Sequence, residues 1–395
     1  MTSRREFLVA AGAVGMAGAP AVLRAQTPGV SAGEIRIGQT TALSGPATAY
    51  AVGAIVFKGY MQMINDRGGI GGRKINVLQL DDGYSPPKTV EATRKLVEQD
   101  EVLLMAATTG TPTSLAVRAY LNAKKVPQLF VGSGAASWAD EIKKYPWSLG
   151  FQPLFSDEGR ETAAHVIAGK PDAKIAVCYQ NDDAGKDFLR GVKSGLAALG
   201  ASKQLVSELT HEVSDPTVDS QVITAQTSGA DVFMFWGSPK ATAQAIRKAA
   251  DMGWQPQLFV NQNSTSVKNV LEAAGLQRSK GVMAAAFMKD PADPTWGEDP
   301  RMAEWKAFMD KYNPGQPRDN LATYGTLQAQ LLVQVLTQCG NDLSRENIIK
   351  QTARLDMDLP LLLPGLRVKT SPDQRHPIRG VKFQRFDGTG WRSIA

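Results

Sequence analysis

Three short loops, rich in hydroxyl groups and glycine, contain the residue types best suited to binding a small anion. Ser44 lies in the first loop, which follows the apolar alternation of Ile35 and Ile37, and the other two loops are residues 108–114 (TTGTPTS) and 132–137 (GSGAAS). Each loop leads toward a predicted helix, and free backbone N–H groups at a helix N-terminus attract negative charge. Hydroxyl and N–H donors without a charged partner predict a site that holds a carboxylate by hydrogen bonds alone.

These loops also have simpler interpretations. The first can be an ordinary connection between a strand and a helix, and Thr109 and Ser133 can cap the helices that follow them. Residues 132–137 partly match the dinucleotide pattern G-x-G-x-x-G, but they lack its last glycine. No acidic residue follows at the expected strand end, so the pattern does not favour a nucleotide site.

Repeated strand–loop–helix units position the loops. In the first part of the chain, strands are predicted from residue 35 and at 74–80, 102–106 and 126–131, with helices between them. This succession predicts a parallel sheet with right-handed crossovers. Ligands of open α/β sheets bind outside the carboxyl ends of the strands, where these loops are expected.

The segment 145–151 (YPWSLGF) interrupts this rhythm and is interpreted as a crossing into a second lobe. The α/β pattern then restarts, with strands predicted at 174–179, 231–235 and 257–260. Two lobes are also expected because 395 residues exceed the size of one typical core. The predicted fold class is α/β, with two doubly wound lobes joined by a hinge of several chain crossings and facing one cleft.

The predicted division of the chain follows these patterns. Residues 33–152 and 286–353 are assigned to the first lobe. Residues 153–285 and 354–395 are assigned to the second lobe. Residues 1–25 are interpreted as an export signal.

The N-terminus has the layout of an export signal. Arg4 and Arg5 precede an apolar run rich in Ala and Gly, which is typical of a secretory signal peptide. The Arg pair followed by x-Phe-Leu resembles the twin-arginine signal of bacteria. We expect cleavage near Ala25 and a soluble mature protein in the periplasm.

Composition argues against several classes of function. The formal net charge is +6, but Lys and Arg are dispersed, so no nucleic-acid-binding surface is predicted. Cys178 and Cys339 lie far apart and the His residues are scattered, so no metal site is predicted. Without a nucleotide fingerprint or a G-x-S-x-G motif, neither a cofactor nor an enzyme is expected.

Several motifs occur in an order that resembles one known family. They are LSGP at 43–46, GGIGG at 68–72, LDD at 80–82, YQNDD at 179–183 and TYG at 323–325. Together they resemble the type I periplasmic solute-binding proteins of the branched-chain amino acid (Leu/Ile/Val-binding) class. The resemblance covers nearly the whole chain after the export signal. It implies a monomeric receptor that delivers a small ligand to the permease subunits of an ABC importer.

The resemblance also implies which residues contact the ligand. The second and third loops would hold a carboxylate, while side chains from both lobes would line the remaining cleft. The residues implied are Thr109, Gly110, Thr111, Ser133, Gly134, Ala135, Tyr50, Tyr324, Ala184, Trp236, Asn261, Gln262 and Asn263. For Trp236 and Tyr324 the alternative is ordinary packing beside the cleft.

Departures from the family pattern indicate the kind of ligand. The loop that carries an acidic residue in amino-acid binders reads Asn261, Gln262, Asn263 here, so a buried α-ammonium group would lack a partner. Ala184 replaces an aromatic residue of the family and enlarges the cleft. We therefore predict an aromatic acid of the benzoate or phenylpropenoid type, which has no α-amino group and can stack against Tyr50, Trp236 and Tyr324.

Other functions are left open by the sequence. The site can instead bind a branched-chain or other amino acid. The protein can also serve a signalling partner as a periplasmic sensor subunit, since the physics of binding would be the same. A two-lobed enzyme is the least favoured alternative.

Overall fold

The computed structural model describes residues 27–394, which form two α/β lobes. The predicted export signal, residues 1–25, lies outside the described residues. Among the described helices, each one is too short or too polar to cross a membrane.

Strands and helices alternate along most of the chain. The strands are β1 (Glu34–Thr41), β2 (Lys74–Asp81), β3 (Leu104–Ala106), β4 (Gln128–Val131), β5 (Ser148–Gly150), β6 (Ile175–Gln180), β7 (Leu205–His211), β8 (Val232–Trp236), β9 (Gln257–Val260), β10 (Met283–Ala286), β11 (Asp356–Met357), β12 (Val368–Lys369), β13 (Lys382–Phe386) and β14 (Trp391–Ile394). The helices are α1 (Ala51–Asp66), α2 (Pro86–Glu98), α3 (Thr111–Ala123), α4 (Ser137–Asp140), α5 (Phe155–Gly169), α6 (Asp183–Ala198), α7 (Asp219–Thr227), α8 (Pro239–Asp251), α9 (Glu272–Ala274), α10 (Pro300–Tyr312), α11 (Asn320–Cys339) and α12 (Arg345–Thr352).

The first lobe contains a parallel sheet in the order β2-β1-β3-β4-β5. Strands β3 and β4 have the sequences LMA and QLFV and are buried at every residue. Continuous apolar runs of this kind are expected where helices cover both faces of a parallel sheet. Because the strands are parallel, the loops that follow β1, β3 and β4 reach the same edge of the sheet.

The second lobe contains a sheet in the order β14-β13-β10-β9-β8-β6-β7. Strands β6 to β10 pair in parallel, whereas β13 runs antiparallel to β10 and pairs with β14. The loops after β6, β8 and β9 face the cleft, as their counterparts do in the first lobe. The predicted fold class, two doubly wound α/β lobes, is confirmed.

The chain crosses between the lobes more than once, and one predicted boundary differs from the packing. Phe287, directly after β10, lies in the hydrophobic cluster of the first lobe, together with Leu355, Leu362 and Ile378. The sequence pattern assigns residues 354–395 to the second lobe, but within this segment the strands that join the second sheet are β13 and β14. Residues 355–378 complete the first-lobe core, which the short apolar runs of this segment do not reveal.

Glycines allow a close contact between helices α1 and α11 of the first lobe. A Cβ atom on Gly325 of α11 would lie only 2.0 Å from the carbonyl oxygen of Gly53 on α1. The two helix backbones therefore touch at this point, and any side chain would push them apart.

We predict that Gly325→Ala lowers the free energy of unfolding by about 1–3 kcal/mol, because overpacking forces the helices to separate. Gly169→Ala is the matched control, since Gly169 is also helical but has no atom within 4 Å of a built Cβ. Urea denaturation of the two variants provides the measurement. Equal midpoints for both would contradict this account of the α1–α11 contact.

Candidate functional site

A cavity lies in the cleft where the carboxyl ends of the two sheets face each other. The empty space between its lining residues amounts to about 670 Å³ when the adjoining open solvent is counted. The predicted site residues that line it are Tyr50, Thr109, Gly110, Thr111, Ala184, Trp236, Asn263 and Tyr324. Both lobes therefore contribute to one binding surface.

The second loop, residues 108–114, forms part of the cavity wall in the first lobe. Gly110 has a φ of +96°, and a Cβ atom there would lie 2.5 Å from Tyr84 Cε2, so a side chain would displace the Tyr84 ring. Thr111 is the first residue of α3, and its backbone N–H has no hydrogen-bond partner among the described residues. The N-terminus of α3 therefore offers a favourable place for negative charge.

Aromatic rings form much of the remaining wall. Trp236 meets Phe155 edge to face with ring centroids 4.8 Å apart, and Tyr50 lies 6.2 Å from Tyr84. Burial raises the pKa of Tyr50, Tyr84 and Tyr324 above the ordinary value. Their hydroxyl groups therefore keep their protons at neutral pH and can donate hydrogen bonds.

Three buried polar atoms of lining residues have no hydrogen-bond partner within residues 27–394: Gln152 Nε2, Trp236 Nε1 and Asn320 Oδ1. The Tyr324 hydroxyl donates to Gln152 Oε1 at 2.5 Å, which leaves the amide nitrogen of Gln152 available. A buried donor without an acceptor costs free energy, which a ligand with acceptor oxygens recovers. Gln152 and Trp236 therefore suit a carboxylate or carbonyl ligand.

The cavity wall carries no formal charge in the part of the chain that the structure describes, because no lining residue is Asp, Glu, Lys, Arg or His. Asn263 is the part of the 261–263 loop that lines the cavity, and it supplies an amide rather than a carboxylate. An ammonium group in this cavity would be desolvated without an ionic partner. A carboxylate can instead be held by amide, indole and backbone N–H groups.

Side chains of the two lobes come close to each other beside the cavity. Ser264 and Gln180 of the second lobe lie close enough to Tyr50 and Tyr84 of the first lobe to lower the pKa of these tyrosines, which burial raises by more. Near the hinge, the Ser266 hydroxyl donates to the carboxylate of Asp319, the residue that caps α11. Residues from the ends of both sheets are thereby held within hydrogen-bonding range.

Most of the third loop lies beneath the cavity wall rather than in it. The Ser133 hydroxyl pairs with Thr111 Oγ1 at 2.6 Å and accepts the Trp138 indole N–H at 2.9 Å. A Cβ atom on Gly134 would lie 2.3 Å from the Pro153 carbonyl oxygen, and Ala135 is fully buried. Ser133 therefore supports Thr111, and neither it nor Gly134 nor Ala135, which the resemblance implied as ligand contacts, is among the residues that line the cavity.

Asn261 and Gln262 also lie outside the cavity lining. The Asn261 side-chain N–H donates to the Gly237 carbonyl at 2.7 Å, and the Gln262 backbone N–H donates to Glu158 Oε1 at 2.7 Å. These bonds fix the loop after β9 and present Asn263 to the cavity. Of the three candidates in this loop, Asn263 is therefore the lining residue.

Ser44 of the first loop is likewise not a lining residue, and it is exposed. Its backbone N–H donates to Asp81 Oδ1 at 3.1 Å. The bond ties the first loop to the end of β2, next to the segment that leads to Tyr84.

Sequence reasoning missed several lining residues. Among the missed residues are Tyr84, Gln152, Phe155, Gln180 and Asn320. Tyr84 and Gln180 lie at or just beyond the carboxyl ends of β2 and β6, so the strand-end rule applied to the hydroxyl-rich loops would have found them. Gln152 and Phe155 belong to the lobe crossing, where no periodic pattern marks a function.

Comparison with known proteins adds independent evidence. A family model described as "Periplasmic binding protein" matches residues 34–390. The leucine-specific-binding protein of Salmonella typhimurium is 22% identical over 92% of this chain and 94% of its own length. A fatty acid ABC transporter substrate-binding protein from Thermomonospora curvata has a TM-score of 0.80 at 21% identity, covering 93% of each chain. A solute-binding protein from R. palustris in complex with benzoate has a TM-score of 0.78 at 20% identity, covering 92% of this chain and 96% of its own.

We predict that Ser133→Ala lowers the free energy of unfolding by about 1–3 kcal/mol, because the Trp138 indole N–H loses its buried acceptor. Ser137→Ala is the matched control, since the Ser137 hydroxyl is buried without a partner among the described residues and its loss should be nearly neutral. Urea denaturation measures both variants. If Ser133→Ala were as stable as Ser137→Ala, the supporting role of Ser133 would be refuted.

Proposed function

The chain belongs to the periplasmic binding protein family, and from that premise we propose that it binds a small aromatic carboxylate without an α-amino group. It is a periplasmic solute-binding receptor of the ABC transporter type. The proposed ligand class is that of benzoate-type and phenylpropenoid acids.

One observation carries this proposal: among the described residues, the cavity wall offers hydrogen-bond donors but no charged side chain. Trp236 Nε1, Gln152 Nε2 and the N–H of Thr111 can donate to the two oxygens of a carboxylate. An amino acid would in addition need a partner for its ammonium group, and the lining residues supply only amide and hydroxyl oxygens.

The shape of the wall favours an aromatic body on the ligand. Tyr50, Tyr84, Phe155, Trp236 and Tyr324 line the cavity from both lobes. Rings in offset or edge-to-face contact gain about 0.5–1.5 kcal/mol beyond the free energy of burial alone. Ala184 also lines the cavity, and its side chain is smaller than the aromatic residue that the resemblance implies at this position. The benzoate complex of a protein with the same fold agrees with this interpretation.

Amino acid binding is the second candidate. It is favoured by the leucine-specific relative, which matches almost the whole chain. The two candidates differ in one chemical respect, the presence of an ammonium group on the ligand, so matched compounds can separate them.

In the cell, the proposed partners are the permease subunits of an ABC importer, to which a monomeric receptor would deliver its ligand. A signalling partner is the alternative, and it would use the same ligand-bound form.

We predict that benzoate raises the melting temperature of the protein, whereas leucine does not. A ligand that binds the folded state stabilises it by about 2.7 kcal/mol at a concentration one hundred times its Kd. The panel should pair benzoate with phenylalanine, which adds the ammonium group, and should include a phenylpropenoid acid. Calorimetry then gives each Kd. Stabilisation by leucine and by no aromatic acid would disprove the proposed ligand while leaving the family assignment intact.

We also propose that residues 1–25 are a twin-arginine export signal cleaved near Ala25. Replacing both Arg4 and Arg5 by Lys should leave uncleaved precursor in the cytoplasm, because export machinery reads the Arg pair. Arg24→Lys, which preserves the pair, is the control. Fractionation with mass spectrometry of the mature N-terminus gives the result, and normal export of the double variant would rule out this route.

A further inference from the structure

Behind the Trp236 side of the cavity lies a buried carboxyl group that does not line the cavity. Glu158, in the first turn of α5, is only 1% exposed. Its Oε1 accepts the backbone N–H of Gln262 at 2.7 Å, whereas Oε2 has no hydrogen-bond partner among the described residues. The nearest basic residue along the helix, Arg160, pairs with Asp157 at 2.7 Å.

Two further buried atoms near this carboxyl group also lack partners. Gln262 Oε1 and Trp236 Nε1 form no hydrogen bond with the described residues, yet both side chains interact with the carboxyl group of Glu158. Gln262 Oε1 is an acceptor that needs a donor, and a protonated carboxyl group supplies an O–H. The contacts of the Gln262 and Trp236 side chains lower the pKa of Glu158, but burial raises it by more. A proton on Glu158 would give Oε2 a donor O–H and would release the Trp236 N–H for the ligand.

Charged groups on the surrounding elements are engaged elsewhere. On α6, Asp187 pairs with Arg190 at 2.7 Å, and Asp182, which caps this helix, accepts the Gln180 amide at 2.5 Å. His376 is neutral at physiological pH because burial lowers its pKa to about 4. Burial without a counter-charge raises the pKa of Glu158 to about 8.

We propose that Glu158 holds a proton behind Trp236 and that this proton makes the cavity selective for anionic ligands. With the proton in place, the wall is uncharged and Trp236 offers its N–H to a ligand oxygen. Once Glu158 ionises, its negative charge repels a carboxylate through a poorly solvated wall and attracts the Trp236 N–H. Glu158 is thus a positioning residue, and the inference rests on the proposed binding of a carboxylate.

Glu158 has no basic partner among the described residues, and the proposed proton gives this buried acid a role in ligand selection. An ionised carboxylate at the same place would favour a cationic group in the cavity. A proton on Glu158 reverses this preference while it leaves the hydrogen bond from the Gln262 backbone in place. The class of ligand therefore depends on what neutralises Glu158. A proton favours an anionic ligand, whereas an ionised Glu158 would favour a ligand with an ammonium group.

Calorimetric titration with benzoate at pH 6 and pH 9 tests the proposal. If the bound form requires the proton, the Kd of the wild-type protein should be about tenfold higher at pH 9 than at pH 6, given a pKa of about 8. Glu158→Gln keeps an uncharged amide at this position, so the Kd of this variant for benzoate should change less than about twofold between pH 6 and pH 9. Benzamide, which has no negative charge, should show a much smaller pH dependence with the wild-type protein.

Glu161→Gln is the matched control, because Glu161 lies on the same helix but its side chain is 46% exposed. This variant should keep the tenfold pH dependence of the wild-type protein. A wild-type Kd that does not change with pH, or an equal pH dependence in Glu158→Gln, would overturn the proposal.

The pH dependence of unfolding without ligand provides a second measurement. An acid whose pKa is raised in the folded state stabilises the protein below its unfolded pKa, and this stability is lost as the pH rises toward the folded pKa. The urea midpoint of the wild-type protein should therefore fall between pH 5 and pH 8 relative to that of Glu158→Gln. Parallel profiles would show that Glu158 holds no proton. Failure of benzoate and related acids to bind at either pH would instead refute the proposed ligand, and the unfolding profiles would still decide the state of Glu158.

Discussion

The site depends on one constraint: among the described residues, those that line the cleft between the two lobes carry no charge. Aromatic rings such as those of Tyr84, Trp236 and Tyr324 form much of its wall. In such surroundings an ion without a partner is costly, whereas hydrogen bonds to an ion are strengthened. In the proposed function, donors at Gln152, Trp236 and the start of α3 favour an anionic ligand.

The parallel sheets explain how donors from distant parts of the chain meet. Loops at the carboxyl ends of parallel strands share one edge, and the crossings between the lobes turn the two edges toward each other. A second layer of contacts holds the donors in position. Ser133 supports Thr111 from below, and Gly110 allows the Tyr84 ring to approach the backbone.

Glu158 belongs to this second layer of contacts, and in our proposal its protonation state determines which ligands the cavity selects. Its contact with the backbone of Gln262 fixes the loop that presents Asn263, so the acid shapes the wall without being part of it. The loop itself carries amides where the resemblance implied a carboxylate. The acidic group thus lies one layer deeper, on α5, where its protonation state rather than its position controls the charge that the ligand experiences.

The sequence by itself determined the fold class, because that class follows from local patterns, and with the family resemblance it named eight of the residues that line the cavity. Apolar runs separated by small-residue loops indicated parallel sheets, and the loop from Thr109 to Thr111 was proposed by the rule that ligands bind at strand ends. Trp236 was implied by the family resemblance. Only the tertiary structure decided which atoms remain available: the Ser133 hydroxyl has the chemistry of a ligand contact, but Thr111 and Trp138 already use it. Gln152, Phe155 and Glu158 have no signal in the sequence, since their roles arise from contacts between segments that lie far apart along the chain. The placement of residues 355–378 in the first lobe has the same cause, because burial against a distant core is a property of the folded chain and not of a short run of residues.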